Sequence, residues 1–181
     1  MAIILASKSP RRQELLKQIT NDFIIDVSDV IEKIPSNCKK QNVPMHLAKR
    51  KACDVFKRHQ DDIVIGADTI VLANDEILGK PKDKEDVRRM ITLLSGITHE
   101  VITGVCIKTK DFCKTFKVVT EVTFKKMSEQ EIDEYCNLDS VYDKAGAYAI
   151  QEEAGKYITS IKGDYNNVVG LPVDELKKQL K

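Results

Sequence analysis

The stretch SKSPRR, Ser7 to Arg12, gathers two hydroxyls, a proline and two guanidiniums within six residues, a composition suited to gripping phosphate. Ser9 is a natural N-cap and Pro10 fits the first helical position, so a helix should start there with its leading backbone N–H groups unpartnered. Arg11 and Arg12 then occupy the first turn, where the helix dipole disfavours a cation by about 0.3–1 kcal/mol. A bound anion would reverse that sign, and guanidinium matches phosphate oxygens in bidentate fashion. The alternative is a solvated helix start whose arginines point into water.

A second candidate is Asp68, a charge inside the apolar, strand-like run DIVIGADTIVLA (62–73), which Gly66 also interrupts. Buried charge is costly unless paired. Asp68 therefore belongs either to a turn closed by the Asp and Thr69 side chains, or to a cleft where a carboxylate binds a cation or takes a proton from water. Lys80, between Gly79 and Pro81 in ILGKP, is either an exposed turn residue or a fixed cation aimed at phosphate. Lys51, in LAKRKA, is by default on a solvated helix face, and Glu32, in VIEK, is by default a surface acid, with metal ligation its alternative. DKAGAYAIQ (143–151) and GDYNNVVGLP (163–172) carry small residues that let backbone approach a flat ligand, and the Gln151 amide could read a base edge. Both stretches also read as tight turns between packed elements.

These residues need elements to hold them. Apolar spacing predicts strands at 2–6, 22–27, 62–73, 99–109, 114–124 and 156–162, and helices at 10–19, 43–59, 83–94, 128–137 and 173–180. Ser128 followed by Glu131 is a capping box. Strands alternating with helices imply an α/β domain, and the adjacent runs 99–109 and 114–124 suggest an antiparallel hairpin, hence a mixed sheet. The polar stretch 33–44 reads as a surface loop, with a lid over a cleft as the alternative.

With 181 residues the chain suits a single domain, 1–181, able to bury a core without staples. The five cysteines are scattered, with no C-x-x-C, and the three histidines show no paired spacing, which favours reduced thiols and argues against a protein-built transition-metal centre. A net charge of +1 with interspersed signs gives no broad field for nucleic acid, so any anion site is local. The absence of a long apolar span or signal-like N-terminus leads us to expect a soluble, cytoplasmic protein without membrane partners.

In order along the chain, ASKSPRRQELL, VIGADTIV, LGKP, LSGITHEVITGV, DKAGAYAIQ and GDYNNVVGLP closely resemble the Maf family of nucleoside triphosphate pyrophosphatases, from Ile3 to about Leu176. The resemblance implies a Maf/inosine-triphosphatase-like fold, a mixed sheet with flanking helices and two lobes around a central cleft, often as a homodimer. It implies hydrolysis of a nucleotide to its monophosphate and pyrophosphate with a divalent cation, Mg²⁺ first, with Mn²⁺ or Co²⁺ as alternatives. Asp68 then corresponds to the proton acceptor, Ser7 and Arg12 to phosphate-binding residues, and Glu32, Lys51 and Lys80 to the remaining catalytic-site positions. Arg11, Thr69 and Gln151 match the residues that mark the dTTP/UTP-cleaving subgroup. Ala149 and Glu152 depart from the glycines of many relatives, and a negative charge at Glu152 would weaken polyanion binding if it faced the cleft.

Joined to the physical reading, this predicts a cation held by Glu32, Asp68 and phosphate oxygens, with Asp68 activating water toward the α-phosphorus. The rival readings are a nucleotide-binding regulator linked to cell division, without turnover, and a pyrophosphatase for purine or modified nucleotides. All of the catalytic readings require the arginines of SPRR to face Asp68.

Overall fold

The computed structural model describes residues 1–181. Seven strands form one mixed sheet: β1 (Ile3–Leu5), β2 (Ile24–Ile25), β3 (Ile63–Ala73), β4 (Glu76–Leu78), β5 (Thr98–Lys108), β6 (Cys113–Phe124) and β7 (Ile158–Lys162), the central β3 and β5 buried on both faces. Their order is β2-β1-β3-β5-β6-β7, with β4 paired to the end of β3. β1 is parallel to β2 and β3, and the other pairings are antiparallel, including the expected β5–β6 hairpin. The helices are α1 (Pro10–Leu16), α2 (Val43–Phe56), α3 (Lys84–Leu94), α4 (Glu129–Tyr135), α5 (Tyr165–Val169) and α6 (Val173–Gln179). The α/β mixed sheet with flanking helices is thus observed.

Alternation along β3 divides the core. Ile65, Ala67 and Val71 join the larger apolar cluster, while Val64 and Ile70 face α2. That helix lies close because the sheet offers it glycines. A Cβ at Gly66 would stand 2.9 Å from Ala52 N, and one at Gly104 on β5 would stand 2.5 Å from Pro44 O. Gly66 therefore does not interrupt β3; it marks where helix backbone presses on strand backbone.

The two neighbours of β3 on its other edge are not continuous. β1 pairs with Ile63–Ile65 and β4 with Val71–Ala73, so residues 66–70 have a strand partner only in β5. α1 departs from the end of β1 at this gap.

Several boundaries differ from expectation for local reasons. Helix 10–19 stops at Leu16, where the bonds tighten to Gln18 N–Leu15 O (3.1 Å) and Ile19 N–Leu16 O (2.9 Å). Helix 43–59 stops at Phe56, and strand 22–27 shrinks to Ile24–Ile25. After β2 the chain runs back along α2, held by helix side chains about one turn apart. Arg58 Nε donates to Asp26 Oδ2 (2.9 Å), Ser28 Oγ to Asp54 Oδ2 (2.9 Å) and Arg50 Nη2 to Ile31 O (3.0 Å).

β4 and α5 were not expected. Both are short, and α5 depends on a cap, Asp164 Oδ1 accepting from Asn166 N (2.7 Å) and Asn167 N (3.2 Å). Asn167 is fully buried and ties α5 to the sheet. Its Oδ1 accepts from Thr103 N (3.2 Å), and its Nδ2 donates to Val101 O and Thr120 Oγ1 (3.0 Å each). Replacing Asn167 with Ala leaves those groups unpaired, so urea unfolding should show a loss of roughly 3 kcal/mol.

Candidate active site

The gap in the edge of β3 opens onto a cleft of ≈ 470 Å³. Asp68 stands in the middle of that edge, 8% exposed. The turn reading of this residue is therefore wrong: it is central to an eleven-residue strand. Its Oδ1 accepts from Lys51 Nζ at 2.6 Å, and the same ammonium meets Glu32 Oε1 at 2.8 Å. Asp68 Oδ2 has no protein partner. Lys51 does not belong to a solvated face, because α2 rests on Gly66 and Gly104 with this side chain turned to the sheet.

Burial pushes the Asp68 carboxyl above its usual range, against the pull of Lys51 and Arg12. Burial acts the same way on Glu32, but its hydrogen bond to Lys51, with the charges of Lys51, Lys80 and Arg12, outweighs it and holds the group below its usual range. Two carboxylates on one ammonium thus differ in acidity, the pattern that separates a base from a permanently ionised partner. Glu32 is thus the more acidic of the two and Asp68 the more basic.

The Arg12 guanidinium reaches across to the next residue of β3. Its Nη2 donates to Thr69 Oγ1 (3.1 Å), its Nε to Gly170 O (2.9 Å) and its Nη1 to Ser7 Oγ (3.4 Å). All three acceptors are neutral. Loss of hydration lowers the Arg12 pKa, with Asp68 opposing that through space, so this cation lacks direct contact with any carboxylate. Such a group is suited to an incoming anion. Thr103 Oγ1 donates to Asn167 O (2.8 Å) and lies 2.8 Å from Thr69 Oγ1. The Thr69 proton is therefore directed to Thr103, leaving the Thr69 oxygen to accept from Arg12.

The other expected residues take distinct places. Arg11 lines the cleft and pairs with Asp143 Oδ2 at 3.4 Å. Lys80 and Gln151 also line it. Ser7 does not: it is buried, and its hydroxyl supports Arg12 and accepts from Ser9 N (3.3 Å). The helix terminus contributes less than expected, since α1 has seven residues and Ser9 Oγ already accepts from Arg12 N (3.5 Å). Glu152 does not line the cleft but pairs at 3.2 Å with the buried Lys144, which also meets Asp143 at 2.8 Å, so the condition for the anticipated repulsion is not met. Sequence reasoning missed Thr103, Asn167 and the Gly170 carbonyl as supports for Arg12. All three act through contacts distant in sequence; they lie within the quoted stretches LSGITHEVITGV and GDYNNVVGLP, where nothing local marks them as supports.

No group of three or more His, Cys, Asp or Glu side chains is arranged to hold a metal ion by itself. Three carboxylates line the cleft; Asp143 is paired through both oxygens, whereas Glu32 and Asp68 share Lys51 and each keep one oxygen without a protein partner. That set suits a hard divalent ion that keeps water and takes further ligands from phosphates.

A family model described as Maf-like protein matches residues 2–181. Proteins named dTTP/UTP pyrophosphatase from Bacillus cereus (strain Q1) and Bacillus anthracis are each 48% identical over 179 residues, covering 99% of this chain and 94% of the relative. Among solved structures, the Ham1 protein of Staphylococcus aureus aligns with a TM-score of 0.55 at 14% identity, over 99% of this chain and 98% of that one. A HAM1 protein from Coxiella burnetii gives 0.54 at 12% identity with the same coverage. At such identities the structural likeness concerns the fold alone.

Proposed function

The chain belongs to the Maf-like protein family, and from that premise we propose that it hydrolyses dTTP and UTP to the monophosphate and pyrophosphate. The observation that carries this reading is the Asp68 carboxylate, raised in pKa and with one oxygen free, at a cleft lined by Arg12, Lys51 and Lys80. Arg12, Lys51 and Lys80 stabilise charge on the phosphoryl oxygens, and Asp68 orients a water molecule toward the α-phosphorus and accepts its proton. Glu32 and Asp68 would hold a divalent cation, Mg²⁺ by our reading, which supplies neutralisation of the triphosphate charge. Arg11, Thr69 and Gln151 define the side of the cleft available to ribose and base.

The test is pyrophosphate release from a panel of pyrimidine, purine and modified triphosphates with Mg²⁺. We expect dTTP and UTP to be preferred; binding of nucleotide without release would favour a regulator, and preference for purine or modified nucleotides the other rival. Thr69→Val keeps the volume but removes the acceptor for Arg12 Nη2. It should lower kcat/KM for dTTP by about tenfold to a hundredfold, the scale of a charge-assisted hydrogen bond. In the metal-free protein the Asp68 carboxyl should release its proton at a pH above that of free aspartate, 3.8, a midpoint read by NMR titration. Glu32→Gln removes a charge that raises this pKa, so in the metal-free protein that midpoint should move downward.

A further inference from the structure

Outside the cleft, three of the five cysteines converge beneath the C-terminal half of α2: Cys53 on the helix, Cys106 on β5 and Cys113 at the start of β6. Cys106 is fully buried among Ala48, Ala52 and Val55, whereas Cys113 is exposed. Antiparallel register sets Cys113 opposite Lys108 and Cys106 opposite Thr115, so the two thiols are diagonal neighbours on adjacent strands. Their sulfurs are 3.6 Å apart. A disulfide needs about 2.05 Å between sulfurs, so the pair must close by a further ~1.5 Å. Burial, then the neighbouring Cys113, push the Cys53 and Cys106 thiols up, and the exposed Cys113 is the sulfur that a dissolved oxidant meets first.

We propose that Cys113 and Cys106 are an oxidant-sensitive pair, with Cys113 attacked by hydrogen peroxide and Cys106 closing an intramolecular disulfide. In the first step Cys113 sulfur bonds to one peroxide oxygen, the O–O bond breaks, and the thiol proton leaves with the other oxygen as water. In the second, Cys106 sulfur displaces hydroxide from the sulfenic acid, which takes the Cys106 proton and departs as water. Two thiols are oxidised by two electrons and one peroxide is reduced to two waters. The bridge would lock the β5–β6 hairpin under the helix that bears Lys51.

Full-length protein is treated with hydrogen peroxide, then analysed by alkylation, intact mass and peptide mapping. The wild type should lose two of its five free thiols and two hydrogens, with residues 106 and 113 linked and dithiothreitol restoring both. Cys113→Ser should keep its four thiols, Cys53→Ser should still form the bridge, and Cys106→Ser should expose a Cys113 sulfenic acid that dimedone traps. Thermal melts before oxidation establish that each variant is folded. Retention of all five thiols, a Cys53–Cys113 bridge, or bonds only between chains would overturn the assignment.

Discussion

Asp68→Asn should lower pyrophosphate release from dTTP by about 10²–10⁴-fold, the usual contribution of a positioned proton acceptor. The same substitution should leave the melting temperature unchanged or raised. A carboxyl whose folded pKa lies above its unfolded value contributes stability at low pH that is lost as pH rises through the folded value. At neutral pH the ionised Asp68 is therefore a burden on the fold, and the amide removes it while Glu32 continues to hold Lys51. Activity and thermal stability are to be measured on the same preparation. An active Asp68→Asn variant removes this residue from the chemistry, and a markedly destabilised one contradicts the reading of its environment.

Gly104→Ala should have a large effect on stability. Its methyl group would stand 2.5 Å from Pro44 O, and the atoms in its way are helix backbone, which can yield only if α2 lifts from the sheet. Overpacking of this kind costs typically 1–3 kcal/mol and at times more. A loss of about 3 kcal/mol corresponds to a fall in melting temperature of roughly 6–12 °C for a chain of this size. Gly79→Ala is the matched control, because a methyl group there meets nothing within 4 Å. Equal melting temperatures for the two variants would refute the close-approach account. Lys51 rides on the same helix, so Gly104→Ala should also reduce turnover of the protein that remains folded.

Most of the sheet was legible because runs rich in β-branched residues, such as 62–73 and 114–124, have strand composition. β4 and α5 were not, since three and five residues are too few to establish a period and depend on distant partners such as β3 and Thr103. The SPRR stretch was readable from capping chemistry and charge placement. Lys51 was not: helical periodicity identifies an apolar stripe but says nothing of which polar residue at its margin meets a carboxylate on another element. The discriminating signal was the small residues Ala48 and Ala52, which match Gly66 and let the helix approach closely. Asp68 was ambiguous for the opposite reason. A charge inside a strand is tolerable only where the sheet is locally incomplete, and that incompleteness arises from where β1 ends and β4 begins.

The chain that carries Glu32 has no regular structure between β2 and the turn preceding α2. It is moored to that helix by Asp26–Arg58, Ser28–Asp54, Ile31–Arg50 and Glu32–Lys51, and two of these four ties are ion pairs. Screening length falls from about 10 Å in 0.1 M salt to about 3 Å at 1 M, while the packed apolar interior is indifferent to it. Concentrated salt should therefore unfasten this strap well before the domain melts, making ionic strength a control on catalysis separable from denaturation.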